Sequence, residues 1–134
     1  MVTTKGDVLI IDDDPDFCEI ARAALEADSF SVRCACTGPQ GLDLMREKKP
    51  DLVILDVIMV MPDEGVYVSG EIAKDPELSD LPVVMVSSIT ASEYTGYFPT
   101  DQPLHVHKFL DKPVPLHKLL DVANSLVQQK ELPA

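Results

Sequence analysis

The sequence predicts a doubly wound α/β fold, a five-stranded parallel sheet covered by helices on both faces. Three observations predict it. Short, unbroken apolar runs occur at 8–11 (VLII), 52–55 (LVIL) and 83–86 (VVMV), the pattern of strands buried on both faces rather than one. Between the runs lie stretches whose apolar residues recur at helical spacing. Each run stops abruptly at an acid or a hydroxyl: Asp12, Asp56 and Ser87.

In chain order, the 8–11 strand leads into a helix with Phe17, Ile20, Ala21, Ala24 and Leu25 on one face. Asp14 followed by Pro15 starts that helix, a carboxylate cap and then a proline whose missing N–H costs nothing there. A second strand is expected over 31–35. Thr37-Gly38-Pro39 opens a helix carrying Leu42 and Met45 and ending near 48–50. The third strand, 52–55, is followed by a weaker helix over 65–74 with Val66, Ile72 and Ala73. After the fourth strand, 83–86, a short helix is expected near 90–94. A brief fifth strand follows at 108–110. The last helix, 115–129, sets Leu116, Leu119, Leu120, Ala123 and Val127 on one side. Alternating strands and helices joined by right-handed crossovers give the layered sandwich.

Length and charge narrow the function. The 134 residues carry 11 basic and 23 acidic side chains, a net charge of −12. One domain is expected, spanning 1–134, with a core over about 6–129 and a frayed tail. The hydrophobic fraction of 46% is that of a globular protein, not an acidic disordered segment. Such a charge disfavours nucleic acid and anionic membrane surfaces as partners. Three cysteines, Cys18, Cys34 and Cys36, show neither a disulfide framework nor zinc spacing, and read as reduced thiols of a cytoplasmic protein. His105 and His107 alternate without a third ligand, short of a metal site. No signal peptide or membrane span is expected.

In doubly wound sheets the site lies beyond the carboxyl ends of the strands. There the sequence places Asp12, Asp13 and Asp14 after the first strand and Asp56 after the third. Ser87 and Ser88 follow the fourth, and Lys112 and Pro113 the fifth. Asp14 reads as the helix cap. The other carboxylates, crowded together, call for a cation. An all-oxygen donor set favours a hard ion, Mg2+ before others. A hard divalent ion, a hydroxyl and an amine are the parts that hold a phosphoryl group, and a carboxylate beside them can act as nucleophile.

These residues carry a resemblance. VLIIDDDP, LVILD, LPVVMVSS and FLDKPV, in that order and at those intervals, resemble the receiver domain of two-component response regulators, of the stand-alone chemotaxis type with a flavodoxin-like fold. The resemblance covers about 6–129. It implies that Asp56 is the phosphorylation site and that Asp13 binds Mg2+ (or Mn2+) directly. Asp12 would act on the ion through water, and the backbone carbonyl of Ile58 would be a further ligand. Ser87 and Lys112 would contact the phosphoryl group, Pro113 would follow a cis peptide bond, and Phe109 would hold the aromatic switch position. The implied role is a phosphorylation-dependent switch in a two-component system or phosphorelay. A histidine kinase or phosphotransfer protein would be the donor and another protein the target. The domain would catalyse only its own phosphorylation and dephosphorylation.

Three departures from the receiver pattern stand out. Val60 occupies the usual proline position after Asp56, the proline is displaced to Pro62, and Gly65 comes one residue late. Ser88 replaces the small residue, often alanine, that normally follows the hydroxyl. Ile58 and Ile89 are bulky apolar neighbours of the expected site and would slow an attacking water. The 25 residues from Ser87 to Lys112 exceed the usual interval, and Gly96, Pro99 and Pro103 oppose a helix there. Tyr94, Tyr97 and Phe98 are candidate contact aromatics of that segment. These departures leave an alternative, a phosphate-independent pseudo-receiver acting as an interaction module. A small phosphatase of the haloacid-dehalogenase type is disfavoured because Ile58 stands where a second acid is needed. A flavodoxin-type cofactor site is disfavoured because Asp12-Asp13-Asp14 would repel a phosphate.

Overall fold

The computed structural model describes residues 5–56, 64–87, 108–111 and 114–131. The elements are β1 (Asp7–Ile11), α1 (Pro15–Ala27), β2 (Ser31–Ala35), α2 (Gly38–Glu47), β3 (Leu52–Asp56), α3 (Glu64–Lys74), β4 (Val83–Ser87), β5 (Lys108–Asp111) and α4 (Leu116–Glu131). The five strands form one parallel sheet in the order β2-β1-β3-β4-β5. The order reverses after β1, so the first two connections run to opposite sides of that strand. The expected short helix near 90–94 lies outside the described residues.

Alternation along the strands builds two cores. Val8, Ile10, Val32, Leu52, Ile54, Val84, Val86 and Leu110 face α1 and α4, meeting Ala21, Leu25, Leu119, Ala123 and Val127. Leu9, Ile11, Ala35, Val53, Leu55, Val83 and Met85 face α2 and α3, meeting Leu42, Met45, Val68 and Ile72. Every residue of β1 and β3 is buried, which is why those strands read as continuous apolar runs.

Two helical faces differ from expectation. The buried side of α1 is centred on Cys18, Ala21 and Leu25, and Ile20 is 55% exposed. In α4, Leu116 is 44% exposed while Leu119, Ala123 and Val127 are buried. Leu116 is on the buried side, three residues before Leu119, but at the first position of α4, where the helix begins; Ile20 sits off the line of the buried residues. A helix on a flat sheet covers only a narrow stripe, so the flanking apolar positions fall outside it. In α3, Val68 proves to be a core residue that the sequence reading passed over.

The ends are fixed locally. The Asp14 carboxylate accepts from the Asp16 and Phe17 amides at 3.0 and 3.4 Å, capping α1 as expected. Thr37 Oγ1 accepts from the Gln40 amide at 3.2 Å and caps α2. After α1, Phe30 N–H donates to the Leu25 carbonyl and Ser29 N–H to that of Glu26, with Ser29 in the left-handed region at φ 72°. That is a Schellman stop, with Phe30 and Leu25 in the same apolar cluster. The edge strand β2 is clamped by Arg33, whose guanidinium donates to Asp7 Oδ2 (2.7 Å) and to the Leu44 and Lys48 carbonyls at the end of α2 (2.9 and 2.8 Å).

Candidate functional site

Register brings the acids together. Ile11 on β1 is opposite Leu55 on β3, so Asp12 and Asp56 stand one position further on, at adjacent strand ends. Parallel strands lie about 4.8 Å apart. Carboxylate oxygens of Asp12, Asp13 and Asp56 all fall within 4.8 Å of one another. Asp12 is 1% exposed and Asp56 5% exposed, while Asp13 faces solvent.

Asp12 is held from several directions. Its amide donates to the Ala35 carbonyl at 3.0 Å, and its Oδ1 accepts from the Asp14 amide at 2.9 Å. Its own carbonyl accepts from Cys18 Sγ at 3.4 Å. The turn is thereby locked to β2 below and to the first turn of α1 above. The α1 N-terminus, with its partial positive charge, lies beside the acids and offsets part of their repulsion.

The remaining sequence candidates divide in two. Ser87 ends β4 and pairs in register with Asp111 of β5, and Phe109 of β5 pairs with Met85. The backbone therefore delivers the Ser87 position to the same sheet edge as Asp56, which pairs with Val86. Ile58, Lys112 and Pro113 lie outside the described residues, as do the side chains of Ser87 and Phe109, the segment 88–107, and Val60 and Pro62. Asp14, set aside from the metal set in the sequence reading, is engaged as the α1 cap.

The geometry supports a hard-cation site. Its donors are all oxygens, two of its carboxylates are buried, and mutual repulsion at these distances disfavours leaving them bare. No helix among the described residues is long and apolar enough to cross a membrane.

One association was not foreseen. Cys18 on α1 and Cys34 on β2 pack into the same apolar cluster, across the α1–β2 contact. The signal was present in the sequence. Cys18 lies three and seven residues before Ala21 and Leu25, and Cys34 alternates with Val32. Pairing the two required knowing that α1 covers that face.

Comparison with known proteins agrees with the fold. The model of the response regulator receiver domain matches residues 8–124. Protein PilH of Pseudomonas aeruginosa is 32% identical over 121 residues, covering 90% of this chain and 96% of that protein. A probable transcriptional regulator, ycf27, of Guillardia theta is 37% identical over 95 residues. That match takes in 69% of this chain but only 36% of the relative, so the chain spans about a third of the longer regulators it matches. Among solved structures, the chemotaxis response regulator CheY4 of Vibrio cholerae superimposes with a TM-score of 0.79 at 22% identity, covering 92% of this chain and 99% of the other. With the order β2-β1-β3-β4-β5, the acids at the ends of β1 and β3, and a family match over most of its length, this chain belongs to the response regulator receiver domain family.

Proposed function

We propose that the protein is a phosphorylation-dependent switch in a two-component or phosphorelay pathway, accepting a phosphoryl group on Asp56 from a phosphohistidine donor. The observation that carries this is the meeting of Asp12, Asp13 and Asp56 at one sheet edge, with the Asp56 carboxylate almost enclosed. Asp13 and Asp56 would hold Mg2+ (or Mn2+) directly, with the Ile58 carbonyl, and Asp12 would reach it through water. The bound ion supplies positive charge to the phosphoryl oxygens.

The chain's own groups do the rest. A carboxylate oxygen of Asp56 attacks phosphorus while the donor imidazole leaves. The phosphoryl group then offers new acceptors to the Ser87 hydroxyl and the Lys112 ammonium. Each such charge-assisted bond contributes about 1–3 kcal/mol, enough to bias an element whose two states differ by a few kcal/mol. Pro113 would set the Lys112 loop, and Phe109 would report the change to the contact surface. A histidine kinase or phosphotransfer protein is the donor, and a further protein is the target.

The test is phosphorylation by acetyl phosphate with Mg2+, followed by intact mass. One phosphoryl group per chain is expected, abolished by Asp56→Asn and by chelation. A wild-type chain that gains nothing would support the phosphate-independent reading instead, and equal labelling of Asp56→Asn would move the acceptor elsewhere.

A further inference from the structure

Cys18 lies in the first turn of α1, buried on the face that includes Ala21 and Leu25. Its amide donates to the Asp14 carbonyl at 3.1 Å, so its backbone is already seated in the helix. A helical Cβ leans toward the helix N-terminus, and here it carries Sγ back past that end. Cys18 Sγ donates to the Asp12 carbonyl, six residues earlier, at 3.4 Å. That carbonyl belongs to the peptide joining Asp12 to Asp13. We infer that Cys18 is a positioning residue of the acid cluster, which through this bond sets the Asp12–Asp13 peptide and so the place of the Asp13 carboxylate at the cation. Under the proposed function, on which this rests, Asp13 is a direct ligand.

The neighbouring contacts show what the thiol adds. The Asp12 amide is held by the Ala35 carbonyl at 3.0 Å, and Asp12 Oδ1 by the Asp14 amide at 2.9 Å. The first ties Asp12 to the end of β2, and the second closes the turn on itself. The Cys18 bond takes hold of the next peptide. A peptide unit is planar, so holding its oxygen also directs the Asp13 amide and Cα. Asp13 is the exposed member of the cluster. Its backbone, more than packing around its side chain, therefore has to bring its carboxylate within 4.8 Å of the other two.

A thiol suits this position. Cys18 belongs to the apolar cluster that α1 forms with the sheet, where it packs as a small hydrophobe and still keeps one donor. Groups one bond removed from a metal ligand typically change metal affinity by roughly 10–100-fold when removed. An S–H is a weak donor, which places the expected effect at the lower end of that range.

The test compares Cys18→Ala, which removes the donor, with Cys18→Ser, which keeps one. Alanine is smaller than cysteine and favours a helix, so α1 should form in the first variant. Mg2+ affinity of each full chain is read by calorimetric titration, and the metal-free chains are followed by amide hydrogen exchange. Cys18→Ala should weaken Mg2+ binding about tenfold, while Cys18→Ser stays close to the wild type. Without metal, the Asp14 amide should exchange faster in Cys18→Ala but not in Cys18→Ser, and the Ile54 amide of the central strand should be unchanged in both. Wild-type Mg2+ affinity in Cys18→Ala, or equal weakening in both variants, would overturn the inference. Equal acceleration at Asp14 and Ile54 would do so too, since it would mark a packing role. A wild-type chain that does not bind Mg2+ would count against the proposed function itself, and the Asp14 exchange would still decide whether Cys18 holds the turn.

Discussion

Gly41 shows how closely α2 rides on the sheet. A Cβ at this position would lie 2.3 Å from Ile11 Cδ1 and 2.7 Å from its Cγ1. Ile11 is fully buried one residue before the acidic turn, so it has little room to yield. Alanine is otherwise a better helix residue than glycine by about 1 kcal/mol, and the overpacking cost of about 1–3 kcal/mol reverses that preference. Gly41→Ala is therefore expected to lower stability in urea unfolding. Gly70 in α3 provides the contrast: nothing lies within 4 Å of its added Cβ. Gly70→Ala should raise stability by about 0.5–1 kcal/mol in the same measurement. Two helical glycines with opposite signs separate contact from propensity.

At the scale of elements, α1 and α4 are joined by a polar bridge outside the core. The Asp28 carboxylate accepts from Asn124 Nδ2 at 2.8 Å and from Lys5 Nζ at 3.0 Å. The Asn124 bond first, and the Lys5 bond with it, hold the Asp28 carboxyl below its ordinary value of 3.8. A carboxylate depressed on folding adds stability that is fully present above its unfolded pKa and is lost as pH falls through the lower folded value. Asn124→Ala should return Asp28 upward toward its ordinary value, as read from its carboxyl resonance in an NMR titration. It should also flatten the acid limb of the stability curve below about pH 4. An unmoved Asp28 titration in that variant would show that the bridge does not form in solution. The groove between these helices, lined by Ala24, Ala27, Asp28, His117, Leu120, Asp121 and Asn124, encloses about 380 Å³.

For the whole molecule, the acid cluster links stability to metal. Whatever binds the folded chain and not the unfolded one stabilises it, by about 2.7 kcal/mol at a hundredfold excess over Kd. Under the proposed function, Mg2+ should raise the thermal midpoint. Asp13→Asn should remove most of the rise while making the metal-free protein more stable, because it relieves repulsion among three carboxylates. Asp14→Asn is the control. Asparagine caps a helix as well as aspartate, so the Mg2+ response should persist. A midpoint that ignores Mg2+, measured by calorimetry, would contradict the metal assignment.

Much of this architecture was legible in the residues. Runs such as 52–55 announce strands buried on both faces, Asp14-Pro15 announces a helix start, and the acids that end the runs place a site at the carboxyl edge. These are local or short-period signals, set by chain geometry and by the need to hide apolar surface, so one sequence suffices to read them. Three features were settled only in the folded chain. The stripe of α1 that is buried passes through Cys18 and leaves Ile20 exposed. Arg33 of β2 reaches Asp7 on the adjacent strand β1 and the carbonyls at the end of α2. Asp28 at the end of α1 finds Asn124 of α4. Each depends on which face of a helix meets the sheet and at what height. Helical periodicity defines an apolar sector wider than the contact, and packing alone selects the line within it. Sequence thus determined the layers and the edge where chemistry gathers, while tertiary packing decided which side chains meet across them.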